Sequence, residues 1–71
     1  MGWIKQSEKF PPLYKSILVA YYLHGGYAVE QAYAEQNGNI IRYRSKLDDS
    51  VIGKVVAWMP MPEFNPEDYE L

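Results

Sequence analysis

Apolar positions in this chain gather into dense runs, and the spacing inside each run decides what element it can form. The stretch "KSILVAYYL", residues 15–23, is nearly continuous and rich in β-branched and aromatic side chains. Its length and its stop at Gly25-Gly26 predict a strand buried largely on both faces, followed by a turn at "HGG". Tyr21 and Tyr22 are successive in that strand, so they point to opposite faces. "NIIRYR" and "VIGKVVAW" (51–58) predict two more strands, the second bent at Gly53. "SKLDDS" (45–50) between them is a loop.

The middle of the chain supports two readings. "AVEQAYAEQNG" has high helix propensity, with Ala28, Val29, Ala32 and Tyr33 on one face and Asn37-Gly38 as a C-terminal stop. The other reading is a hairpin with Asn37-Gly38 as a two-residue type I′ turn. That turn pairs Ala34 with Ile41 and Ala32 with Tyr43 on an apolar face. On the polar face, Tyr33 then opposes Arg42 and Gln31 opposes Arg44. Propensity divides evenly between the two, and the hairpin has the better partner segment.

Prolines shape both ends. Pro11-Pro12 forbids helix after "GWIKQSEKF", so Trp3 and Ile4 form a short extended arm with Phe10 as a second anchor. In "MPMPEF", Pro60 and Pro62 cannot donate ladder hydrogen bonds and so end the sheet. Trp58, Met59 and Met61 can still pack, which lays this exit across the core. The expected core is Trp3, Ile17, Val19, Ile41, Tyr43, Val56 and Trp58. The organisation is a single β-rich domain over 1–63, all-β or α+β, with an antiparallel sheet of about four strands. An acidic tail follows at 64–71.

Composition narrows the chemistry. A chain of 71 residues has one small core, and it buries only about 60% of the surface that its unfolded form exposes. Seven Tyr, two Trp and two Phe supply large packing groups. With no cysteine, disulfides and thiolate metal sites are both excluded, which leaves good packing or self-association as the source of stability. No stretch resembles a secretory signal or approaches the roughly 20 apolar residues that span a bilayer, so the expected location is the cytoplasm. The net charge of −2 hides an asymmetry, because Glu63, Glu67, Asp68 and Glu70 crowd the end while residues 1–62 carry seven basic and five acidic groups.

Few residues offer reactive chemistry. His24, the only histidine, stands beside Gly25-Gly26 without an evident partner group, and no nucleophile elbow or phosphate-cradling glycine loop occurs. Asp48-Asp49-Ser50 supplies too few convergent oxygens for a divalent cation and reads as a polar turn. No enzyme activity, cofactor or metal is therefore expected. Arg42, Arg44 and Lys46 lie on one strand face at period two, with Tyr33 opposite; basic groups beside an aromatic can bind phosphates and stack on bases. Set against that is a solvated outer face balanced by Glu35. Tyr22 joins these residues as a candidate contact, whichever of the adjacent tyrosines is not in the core.

The ordered set "WI", "FP", "ILV" and "AWMPMPE" resembles family 551 of the domains of unknown function, over residues 3 to about 63. Trp58, Met59, Pro60, Pro62 and Glu63 match that family's Trp-Met-Pro-Leu-Pro-Glu-like ending, with Met61 where Leu is commoner, and Trp3 and Ile4 match its start. Pro12 and the "LHGG" segment depart from it. The resemblance implies small phage or prophage proteins, an antiparallel β-rich fold that favours the hairpin, and no assigned activity. Its matching residues, with Phe10, read as fold determinants. The expected function is a non-enzymatic binding or accessory module in a bacterial host cell, acting on a host or phage protein or on itself as a homo-oligomer. The alternative is a binder of nucleic acid or of a small anionic ligand such as a nucleotide, using Tyr33, Arg42 and Arg44.

Overall fold

Two-residue turns organise the middle of the chain into a meander. The computed structural model describes residues 2–62 and 64–69. Strands β1 (Ile4–Lys5), β2 (Ile17–Leu23), β3 (Gly26–Asn37), β4 (Ile40–Ser45), β5 (Val51–Ile52) and β6 (Val55–Pro60) form one antiparallel sheet in the order β1-β6-β2-β3-β4-β5. There are six strands rather than about four because the arm at Ile4 pairs with β6, and because Gly53-Lys54 divides the last apolar run.

That division closes the fold. β5 pairs with β4 at one margin of the sheet, and two residues later β6 pairs with β2. Three peptide steps span about 11 Å at most, so the two margins must come together and the sheet must curl into a half-closed barrel. Lys54 takes φ 56° at the crossing, and its carbonyl accepts from the Tyr22 amide at 3.1 Å.

Register and alternation then define the inside. Ile17, Val19, Ala32, Ala34, Tyr43, Ile52 and Trp58 are buried together, with Ile4, Leu13, Tyr21, Ile41 and Val55 packed against them. The small Ala32 and Ala34 make room for Tyr43 and Trp58 in a narrow interior. The indole N–H of Trp58 donates to the Lys9 carbonyl at 2.8 Å, tying the N-terminal segment over one end.

Several expectations need correcting. Segment 26–37 is a strand, so the hairpin holds and the helix does not, but the turn is Gly38-Asn39. Asn37 faces Ile40, Ala34 faces Tyr43, and Tyr33 faces Arg44. Gly38, at φ 65°, takes the first central position, where a type II′ turn wants glycine. Every partner moves by two residues, so the division into faces survives. Trp3 is exposed because Ile4, opposite Trp58, faces inward and its neighbour must face out. Val56 is exposed because the ladder slips between Ala20 and Tyr21, which pairs Tyr21 with Val55 and leaves Val56 as the extra residue. Ile41 is half-buried, and Ile52 takes a core place that the sequence reading left empty.

Past β6, which ends at Pro60, Pro62 is exposed and Met61 half-buried. A single 3₁₀ turn, Pro66–Asp68, is capped by the Asn65 side chain, and Phe64 stacks on Tyr69 with centroids 5.2 Å apart. Glu63, from the family-like ending, and Glu70, from the acidic tail, lie outside the described residues. Among the described residues, no helix is long and apolar enough to cross a membrane.

Candidate functional site: the outer sheet face

Side chains that alternate with the core point outward, and this outer face has two chemically different halves. Register across β6, β2 and β3 sets Leu18 between Met59 and Gln31, Ala20 between Ala57 and Val29, and Tyr22 opposite Tyr27. Among the described residues no charged side chain lies within this strip, and Lys5, opposite Ala57 on β1, flanks it. Tyr27 is 73% exposed and Val29 58%. Tyr22 and Tyr27 meet edge to face at 5.7 Å, and the Lys54 ammonium lies 5.9 Å from the Tyr22 ring centre, at the strip's rim.

The other half, on β3 and β4, is polar and internally paired. Tyr33 directly faces Arg44, and Glu35 directly faces Arg42. Glu35 nevertheless takes the diagonal Arg44, whose Nε donates to Glu35 Oε1 at 2.8 Å, while Nη1 donates to the Asp49 carbonyl at 2.9 Å. The Glu35 bond raises the Arg44 pKa further. The Tyr33 hydroxyl donates to the Asp49 carboxylate, a bond that pushes its pKa up, and the Lys46 ammonium sits 5.8 Å from the ring centre. Asp48 accepts from the Ser50 hydroxyl at 2.6 Å and from the Ser50 amide at 3.0 Å, and both bonds lower its pKa.

Tyr33, Arg44 and Lys46 are thus brought together as the spacing predicted, with Arg42 beside them on the same face of β4. Tyr22 is not among them; it lies at the far end of β2, in the apolar half. Of the residues read as fold determinants, Trp58 is in the core and Met59 lies on the outer face. Phe10 is exposed beside the buried Pro11, and Trp3 and Pro60 are exposed.

Sequence reading missed one inward polar group. Glu30 follows the inward series Ala28, Ala32, Ala34, and accepts hydrogen bonds from the Tyr21 hydroxyl at 2.9 Å and from the Ser45 hydroxyl. The bond to Glu30 raises the Tyr21 pKa. A charged residue inside an alternating alanine row was the available signal, and it becomes legible only once the segment is read as a strand. Glu30, Tyr21, His24 and Lys54 line a cavity of about 460 Å³ at this end of the barrel. His24 stands on the β2–β3 turn at φ 48°, and no side-chain hydrogen bond positions its ring among the described residues. Among those residues, no cluster of three or more His, Asp or Glu side chains could hold a metal ion.

No curated protein and no solved structure matches the chain. The sequence model of one family does, over residues 2–65, which is nearly the whole length. The chain belongs to the family described as Protein of unknown function (DUF551).

Proposed function

We propose that this protein is a non-enzymatic binding module that docks another protein on the apolar half of its outer face. One observation carries the reading: Leu18, Ala20, Tyr22, Tyr27, Val29 and Met59 form an uncharged strip on the outside of a curled sheet. An outer sheet face that meets only water normally alternates to polar residues. Tyr and Met are residue types enriched in protein interfaces, and apolar strips with a polar margin mark contact surfaces. The reading takes the setting to be the cytoplasm of a bacterial host, with a phage- or prophage-encoded protein acting on a host protein.

Anion binding by Tyr33, Arg42 and Arg44 has less to draw on. Arg44 is committed to Glu35 and to a main-chain carbonyl, and a phosphate would have to displace both.

Ala20 sits in the middle of the strip, so Ala20→Arg places a charge there without touching the core. Capture of a partner from bacterial lysate should fall about tenfold or more with Ala20→Arg and stay unchanged with Glu67→Gln on the tail. Capture indifferent to Ala20→Arg would contradict the proposal.

A further inference from the structure

Hairpin geometry fixes where each main-chain group of β3 points. Leu23 and Gly26 flank the two-residue turn His24-Gly25, so they exchange both of their main-chain hydrogen bonds. Alternation then turns the amides and carbonyls of Gly26, Ala28, Glu30 and Ala32 towards β2, and those of Tyr27, Val29, Gln31 and Tyr33 away from it. Two bonds elsewhere fit this parity: the Lys46 amide donates to the Gln31 carbonyl at 3.0 Å, and the Tyr14 amide to the Ala34 carbonyl at 2.8 Å.

β4 begins to pair with β3 only at Ala32, opposite Ser45. The main-chain groups of Tyr27 and Val29 therefore face no strand among the described residues, whereas Lys46 lies against Gln31. Exposed edges usually carry lysine, proline or a bulge that discourages pairing. "GYAVEQ" has none of these, and its one inward charge, Glu30, is engaged by Tyr21 and Ser45, whereas the outer edge at β1 is two residues long and includes Lys5.

We propose that this free edge of β3 pairs with the same edge of a second copy of the chain, antiparallel about a two-fold axis at Ala28. The inference rests on the self-association that the binding-module reading allows, and it names the surface. A two-fold axis lets one edge meet itself only antiparallel, with Ala28 opposite Ala28 and Tyr27 opposite Val29 of the second copy, clear of Gln31, whose place on the edge Lys46 already fills. All three paired side chains are uncharged. On the inner face each Glu30 opposes Gly26, which has no side chain, and its carboxylate is already turned to Tyr21 and Ser45 of its own chain. No like charges stand directly opposite one another. Pairing satisfies the open main-chain groups, covers Tyr27 and Val29, and joins two apolar strips into one surface. It also supplies the stabilisation that a cysteine-free chain of 71 residues otherwise draws from a small core alone.

Sedimentation equilibrium up to about 1 mM protein, combined with amide exchange read by NMR, tests this. The expected result is a species of twice the 8.3 kDa chain mass, with the Tyr27 and Val29 amides protected. Val29→Pro removes an amide that points away from β2, so the monomer keeps its fold, and self-association should weaken about tenfold or more. Val29→Lys, which leaves the backbone unchanged, should do the same should the proline variant not fold. A monomer at the highest concentration, or a dimer in which those two amides exchange freely or that both variants leave intact, overturns the inference. Ala20→Arg should leave the dimer in place while abolishing partner capture, so the failure of one proposal is distinguishable from the failure of the other.

Discussion

A hydroxyl buried without a partner costs about 1–3 kcal/mol, and Tyr43 carries one: its oxygen is out of solvent and has no hydrogen-bond partner among the described residues. Burial pushes its pKa up, and the neighbouring Gln6 amide opposes that shift. Tyr43→Phe keeps the ring that fills the barrel, so urea unfolding should show it more stable by about 1 kcal/mol. A loss would mean that Gln6 holds the hydroxyl after all. His24 is a second residue held against its preference, at φ 48° in a turn whose first central position suits Asn or Gly. A left-handed residue costs roughly 1–2 kcal/mol, so His24→Asn should raise stability by a fraction of that. Tyr21 and Tyr33 add to the alkaline sensitivity that the raised Tyr43 hydroxyl also brings. Each of the first two donates to a carboxylate, and each folded pKa lies above the ordinary value of 10.0. Their contribution is complete below that value and disappears as pH rises through the higher folded one. Stability should therefore decline above about pH 10, and the double change Tyr21→Phe and Tyr33→Phe should flatten that decline. A slope unaltered in the double variant would place the alkaline sensitivity elsewhere.

Elements follow from alternation more closely than from propensity. Segment 28–36 is rich in helix formers, yet it is strand, because Ala32 and Ala34 are needed opposite Ile17 and Tyr43 and only a two-residue period puts both inward. The faces of the hairpin were legible in the sequence and its register was not. A turn at Asn37-Gly38 and one at Gly38-Asn39 differ by two residues in pairing, and a shift of two changes no side chain's face. Gly38 takes positive φ in either turn, and what distinguishes them is that Asn37 does not. Gly38→Ala should cost about 1 kcal/mol from strain, since nothing crowds its missing Cβ, while Asn37→Ala should cost little. Equal costs would support the other turn. Val56 and Ile52 were misplaced for a related reason. Period two fails wherever a bulge or a crossing intervenes, and the chain contains one of each between residues 52 and 57. The outer strip was equally hidden, since it joins residues of three strands whose order follows from the closure at Gly53-Lys54. Tyr33, Arg44 and Lys46, by contrast, were found because they lie within one hairpin.

At the scale of the molecule, one curled layer does what two packed layers do in larger domains. Its interior is narrow, and Trp58 joins it to the N-terminal segment through the Lys9 carbonyl. Trp58→Ala should cost about 3–5 kcal/mol, most of the stability a domain of this size commands, and thermal unfolding should find the variant largely unfolded. The closure that buries one face presents the other, and the sequence divides that second face into an uncharged strip and a paired polar patch. The most direct test records backbone amide spectra of the labelled protein alone and with a partner captured from bacterial lysate. Shifts concentrated at Leu18, Ala20, Tyr22, Val29, Ala57 and Met59 are the predicted result. Shifts confined to Tyr33, Arg42, Arg44 and Lys46 would contradict the account and return the polar patch as the binding surface.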